Sequence, residues 1–231
     1  KEFVANVSHE LRTPLTTIKS YTETLLDGAM EEKELSRQFM SVINNEADRM
    51  TRLVNNLLEL SRLDNRETRW DLRPMDLVTI LNEVITKMQM NIKRKGQILK
   101  VNIPQKSPEV FVDKDKIEQV FQNILSNANK YTTKGGKIFI DLHYTDKRVN
   151  ITFKDTGIGI PKEDLPRIFE RFYRVDKTRS REMGGTGLGL SIAHEIILAH
   201  DGEIKIDSEP GKGTCVTIRI PAISQEFSEA K

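Results

Sequence analysis

The run Phe3-Val4-Ala5-Asn6-Val7-Ser8-His9-Glu10-Leu11-Arg12-Thr13-Pro14-Leu15 places apolar side chains at Val4, Val7, Leu11 and Leu15, and Ile18 and Leu25 extend the series. Spacings of three and four residues describe one face of an amphipathic helix, which we expect to end near Gly28. An acidic connector, Glu31 to Glu34, leads into a second stripe at Phe39, Ile43, Met50, Leu53, Leu57 and Leu60, close to heptad spacing. Two long helices joined by a short loop make an antiparallel hairpin. Each stripe then has only one neighbouring helix to cover it, so the expected closure is a dimeric four-helix bundle.

His9 lies two residues from both Val7 and Leu11, about 200° round the helix from each, and so points away from the apolar seam. Arg12 and Thr13 follow at i+3 and i+4 and Glu10 is adjacent, which gathers a cation, a hydroxyl and a carboxylate near one imidazole. Taken alone, His, Glu and Arg describe an ordinary solvated face. Pro14 changes the balance, because a proline inside a helix removes a backbone hydrogen bond and costs about 3 kcal/mol unless the bend is needed.

The chain has 231 residues, enough for two modest domains. Its 36 basic and 34 acidic residues are interspersed, so no basic field favours nucleic acid or anionic lipid. Cys215, the single cysteine, excludes an intrachain disulfide and fits a small core residue of a strand. No apolar run approaches the roughly 20 residues of a membrane span. Because Lys1-Glu2-Phe3 already falls inside a helical pattern, we expect the chain to be a piece of a longer one.

After the hairpin, residues 67–75 lack apolar periodicity and read as a linker. Asp76 is placed to cap a helix through Leu77, Leu81, Val84, Ile85 and Met88. Strand-like alternation follows at Ile138, Ile140 and Leu142, at Val149, Ile151 and Phe153, at Ile204 and Ile206, and at Val216, Ile218 and Ile220, with helices over 116–131 and 190–200. This is an α+β sandwich, one mixed sheet with helices on one face. The expected domains are 1–66, 76–223 and a tail at 224–231.

Within the helix over 116–131, Gln119, Asn123, Asn127 and Lys130 form a polar stripe opposite Ile117, Phe121, Ile124, Leu125 and Ala128. Amides are weak choices for a merely soluble helix face, and amide oxygens can ligate Mg²⁺. Asp155 continues the phase of Val149, Ile151 and Phe153, which buries a carboxylate at a strand end. It needs donors there, and the exocyclic amine of adenine is one. Gly184-Gly185-Thr186-Gly187-Leu188-Gly189-Leu190 then precedes a helix, where small residues let backbone amides approach a phosphate. The cluster has neither the Gly-Lys-Ser/Thr ending of a P-loop nor the G-x-G-x-x-G fingerprint.

The first run resembles the phospho-acceptor box of sensor histidine kinases almost residue for residue. The asparagine helix, the Asp155 turn and the glycine cluster, in that order, resemble the Bergerat ATP-binding fold shared by histidine kinases, Hsp90, type II topoisomerases and MutL. The resemblance implies that His9 accepts a phosphoryl group, with Glu10 orienting its imidazole, and that Thr13 supports dephosphorylation of a partner. For Mg-ATP it implies Asn127 on the metal with Asn123 nearby, Lys130 and Tyr131 on the nucleotide, and Asp155 on adenine. Gly157, Gly159, Gly185, Thr186, Gly187, Leu188 and Gly189 would shape the pocket and its lid, and Thr214, in Gly211-Lys212-Gly213-Thr214, would lie near adenine. The stretch Phe169-Glu170-Arg171-Phe172-Tyr173-Arg174-Val175-Asp176 is most similar to the WalK/VicK subgroup.

The family further implies a homodimer through the hairpin and a response-regulator receiver domain as partner. It implies no nucleic acid, and a cytoplasmic position with membrane contact only through segments outside this chain. Asn129 departs from the pattern, which favours an apolar residue there. Two other readings remain at this point. A clamp ATPase of the chaperone or DNA-repair kind would need a catalytic Glu where Asn123 stands, and a non-enzymatic scaffold would bind ATP without transferring it.

Overall fold

A computed structural model describes residues 2–64, 69–176 and 185–223. They form two compact units, one of 2–64 with Asp176 and 185–188, the other of 69–175 with 189–223.

In the first unit, α1 (Glu2–Thr24) and α2 (Lys33–Asp64) are the two expected long helices, joined through a π-helical turn at Leu25–Ala29. The reversal relies on Gly28, whose φ of 124° is costly for any residue with a Cβ. Lys33 and Glu34 already belong to α2, so the connector is shorter than its charge pattern suggested. Leu25, Leu53 and Leu60 are buried, and the Tyr21 and Phe39 rings meet edge to face at 4.9 Å. Other apolar positions stay open on the lone hairpin: Val4 is 66% exposed, Leu15 57%, Leu26 72% and Leu58 55%.

The second unit carries a five-stranded sheet in the order β2-β4-β5-β7-β6, made of β2 (Ile98–Asn102), β4 (Lys137–Thr145), β5 (Arg148–Asp155), β6 (Glu203–Glu209) and β7 (Gly213–Pro221). Only β2 and β4 pair in parallel. Alternate residues Ile138, Ile140 and Leu142, Val149, Ile151 and Phe153, and Val216, Ile218 and Ile220 are buried beneath three helices. These are α3 (Leu77–Arg94), α4 (Lys114–Tyr131) and α5 (Gly189–Ala199). Phe121 of α4 meets Phe153 of β5 at 5.8 Å, and full burial of such a side chain stabilises the fold by about 1.5–3 kcal/mol. Asp76 caps α3 as its position predicts, accepting from Val78 N at 2.9 Å.

Two expectations need correction. Residues 67–75 are not simply a linker, because β1 (Arg73–Asp76) pairs antiparallel with β3 (Glu109–Val112). Trp70 stands edge-on to His200 at 5.1 Å, and Asp71 N donates to Asp113 Oδ2 at 3.1 Å, so the second unit begins ahead of Asp76. Residues 185–188 group with the first unit, where Asn56 Nδ2 of α2 donates to Thr186 Oγ1 at 3.2 Å. Finally, Cys215 alternates with the inward-facing Val216 and lies half-buried on the opposite face of β7. The tail at 224–231 falls outside the described residues.

His200 ties several of these pieces together. Its Nδ1 donates to Ile196 O at 2.7 Å, so its Nε2 lone pair accepts from Asp113 N at 3.0 Å. Burial lowers the His200 pKa from 6.5, opposed by the Ile196 carbonyl and the charges of Asp113 and Asp201. A lowered histidine pKa means that the unfolded chain binds the proton more readily than the native one. Its stabilisation is therefore complete above about pH 6.5 and declines as pH falls through the lower native value. Chemical denaturation between pH 7 and 5 should show a loss of stability in the wild type that His200→Gln lacks.

Candidate active site

On α1, His9 is exposed, Glu10 and Thr13 are half-buried, and Pro14 is buried. The helix continues through Pro14. Thr13 Oγ1 donates to His9 O at 3.2 Å, which spends the hydroxyl proton on the backbone and leaves the oxygen as an acceptor. Glu10 reaches across the hairpin: its Oε2 lies 3.4 Å from Nη2 of Arg49, which is buried in α2 and 3.6 Å from Glu46 through Nη1.

In the second unit the phase of β5 carries Asp155 into the interior, where it is 7% exposed. Its Oδ1 accepts from Gly157 N at 2.7 Å and Thr214 N at 3.3 Å. Two backbone donors on one oxygen leave Oδ2 for a ligand. Burial raises the Asp155 pKa, and the hydrogen bonds from Gly157 and Thr214 pull it back in part.

The loops beside Asp155 are held at close backbone approach. A Cβ on Gly157 would stand 2.6 Å from Tyr131 O and 2.7 Å from Asp155 Oδ1. Gly213, at φ 100°, leaves no room either, since a Cβ there would meet Asp155 O at 2.0 Å. Gly159, at φ 71°, lies equally tight against Glu209 O. Ser208 joins three of these segments: its Oγ accepts from Ile160 N at 2.8 Å, donates to Gly213 O at 2.9 Å and meets Thr214 Oγ1 at 2.9 Å. One hydroxyl proton serves Gly213, so Thr214 is the donor to Ser208.

Along α4, Asn123 Nδ2 donates to Gly189 O at 3.2 Å, which ties the asparagine helix to the start of α5 and leaves Oδ1 for other partners. Asn127 follows one turn later, half-buried. The Lys130 ammonium stands over the Tyr131 ring at 4.9 Å. The last carbonyls of α4 are satisfied from the turn that leads into β2: Lys95 Nζ donates to Lys130 O at 2.7 Å and Gln97 Nε2 to Asn129 O at 2.9 Å. Asp155, Gly157, Gly159, Thr214 and Tyr131 are thus joined by close approaches, and Asn123 and Gly189 pair in the same unit. Gly185, Thr186, Gly187 and Leu188 belong to the other, where Thr186 also accepts from Leu188 N at 3.4 Å.

Residues 112–224 match the family described as Histidine kinase-, DNA gyrase B-, and HSP90-like ATPase, and residues 1–66 match the His Kinase A (phospho-acceptor) domain. The chain belongs to the sensor histidine kinases. It is 47% identical to the sensor histidine kinase WalK of Bacillus subtilis over 96% of its own length, and 46% identical to the sensor protein kinase WalK of Staphylococcus aureus over the same share. The chain spans 36% and 53% of those relatives. Among solved structures it is similar to the Acinetobacter baumannii histidine kinase AdeS, with a TM-score of 0.74 at 25% identity, covering 93% of this chain and 98% of that one. It is also similar to the histidine kinase ThkA in complex with response regulator protein TrrA, with a TM-score of 0.80 at 25% identity, covering 98% and 63%.

Several residues of this histidine kinase core escaped the sequence reading: Arg49, Lys95, Gln97, Ser208 and His200. Each acts on a segment far away in the chain, so no local pattern announces it. Asn129, the departure from the family pattern, supplies its carbonyl to Gln97, while its side-chain Oδ1 is buried with no hydrogen-bond partner among the described residues. An unsatisfied buried acceptor costs about 1–3 kcal/mol. Asn129→Leu is therefore expected to stabilise the protein by about 1 kcal/mol, which calorimetry would register as a rise of about 2–4 °C in Tm.

Proposed function

We propose that the chain binds Mg-ATP in its second unit, transfers the γ-phosphoryl group to His9, and passes it on to an aspartate of a response-regulator receiver domain. The observation that carries this reading is an exposed His9 flanked by Glu10 and Thr13, on a chain whose other unit presents Asp155 with one carboxylate oxygen already held by Gly157 and Thr214. Asp155 Oδ2 takes the amine of adenine, and Thr214, Gly157 and Gly159 shape the surrounding wall. Lys130 and Tyr131 contact the nucleotide. Gly185, Thr186, Gly187, Leu188 and Gly189 supply the lid and phosphate-facing backbone, and residues 177–184 of the expected lid lie outside the described residues.

No group of three or more His, Cys, Asp or Glu side chains able to hold a metal occurs among the described residues. The amide oxygen of Asn127, with Asn123 nearby, together with ATP phosphates suits Mg²⁺, an ion that keeps several waters. When bound, it offsets the charge that develops on the phosphates. His9 supplies the nucleophile: the Nε2 lone pair forms the N–P bond as the bond from the γ-phosphorus to the bridging oxygen breaks, and ADP leaves with that electron pair. Glu10 receives the proton of Nδ1 as the imidazole becomes cationic. For the reverse hydrolysis of the regulator, Thr13 Oγ1 orients a water.

The uncovered apolar positions Val4, Leu15, Leu26 and Leu58 support a homodimer through the hairpin, since a second copy would bury them. Among the described residues no helix is long and apolar enough to cross a membrane. The parent protein is a membrane-anchored bacterial kinase with this core on the cytoplasmic side, a reading that rests on the family resemblance. Incubating purified, ³²P-labelled chain with an isolated receiver domain tests the relay. Label moving to the receiver within minutes supports it, and label that stays on the chain contradicts it.

A further inference from the structure

We propose that Arg49 is a positioning residue for phosphorylation of His9, acting through Glu10; this rests on the kinase reading above. Arg49 lies in α2, 39 residues from Glu10, and is 6% exposed. A guanidinium that deep persists only with anionic partners, and it has two, Glu10 Oε2 at 3.4 Å and Glu46 Oε2 at 3.6 Å. One of those partners is the residue directly after the exposed histidine. Its carboxylate side chain is only 12% exposed, so it is drawn inward toward α2 rather than left to sample solvent.

The geometry explains what such a pairing does. Arg49 holds one carboxylate oxygen of Glu10, Oε2, and so limits where the carboxylate next to His9 in the sequence can turn. Both contacts are longer than the 2.7–2.9 Å typical of a tight charge-assisted fork, and the same guanidinium is shared with Glu46. Glu10 is therefore tethered rather than locked, and its swing is limited. Without the tether, the carboxylate would be free to turn away, and the proton on Nδ1 would lose its acceptor at the moment the N–P bond forms. Arg49 touches neither ATP nor the reacting nitrogen in this account, so its removal acts on turnover and not on nucleotide affinity.

The test is steady-state autophosphorylation of the full chain with γ-labelled Mg-ATP. Arg49→Met should lower kcat by about tenfold, about 1.4 kcal/mol, and leave KM for ATP unchanged. Arg49→Lys, which keeps a cation and the packing of the stem, should recover most of the rate. In a Glu10→Gln background, Arg49→Met should change the residual rate by less than about twofold, because the two act as one unit. A fall in rate of the same factor with and without Glu10 would make Arg49 merely structural and overturn the proposal. So would an unchanged kcat in a folded Arg49→Met chain. A wild-type chain that takes no label at all overturns the kinase reading and this proposal together, whereas label in the wild type with no Glu10-dependent effect of Arg49 overturns only the latter.

Discussion

Replacing His9 with glutamine is expected to remove all phosphoryl transfer into the chain while leaving ATP binding within about twofold of wild type. Glutamine keeps polar atoms at an exposed helix position, so neither the hairpin nor the second unit should lose stability. What it lacks is a lone pair on nitrogen that is nucleophilic at neutral pH, because an amide nitrogen is delocalised into its carbonyl. The loss is therefore one of chemistry and not of degree. Calorimetric titration with ATP alongside label incorporation separates the two properties. Residual label in His9→Gln would mean that another side chain accepts the phosphoryl group.

Asp155→Asn is expected to weaken ATP binding by at least about 100-fold, and to leave the nucleotide-free protein as stable as wild type or more so. The two effects share one cause. Burial penalises the Asp155 carboxylate, and its raised pKa means that the native state carries a cost above that pKa which is relieved as pH falls through it. Asparagine keeps an oxygen to accept from Gly157 N and Thr214 N but carries no charge, so the apo fold loses a penalty and keeps its bonds. At the other terminus it places an NH₂ where a ligand amine must donate. A charge-assisted hydrogen bond of about 1.5–3 kcal/mol is lost and two donors are brought face to face, which together give the expected factor. Equilibrium binding and thermal unfolding of the same sample test it, and a variant that binds ATP normally would remove Asp155 from the adenine site.

Much of this architecture was legible because large buried faces impose long patterns. The α1 and α2 stripes, the alternation of β4, β5 and β7, and the phase that runs Val149, Ile151, Phe153 and Asp155 into the core are all repeated many times over. The strands that were missed had no such repetition. β1 spans Arg73–Asp76 and contains Pro74, β3 is four residues long with Phe111 turned outward, and β2 is a mostly exposed edge strand. Site residues followed the same rule. Asn123, Asn127 and Asp155 declared themselves because each is polar where helix or strand phase makes it conspicuous. Ser208, Gln97 and Arg49 did not, since a serine in an edge strand or an arginine in a charged helix looks ordinary until a distant segment folds against it.

The most direct test of the central claim is the chemistry of the bond formed when the wild-type chain meets γ-labelled Mg-ATP. The account predicts stoichiometric label on the dimer that survives base and is lost in acid, as a phosphoramidate is, and that maps by mass spectrometry to the peptide containing His9. Label stable to acid, mapping elsewhere, or ATP bound with no label formed would contradict it.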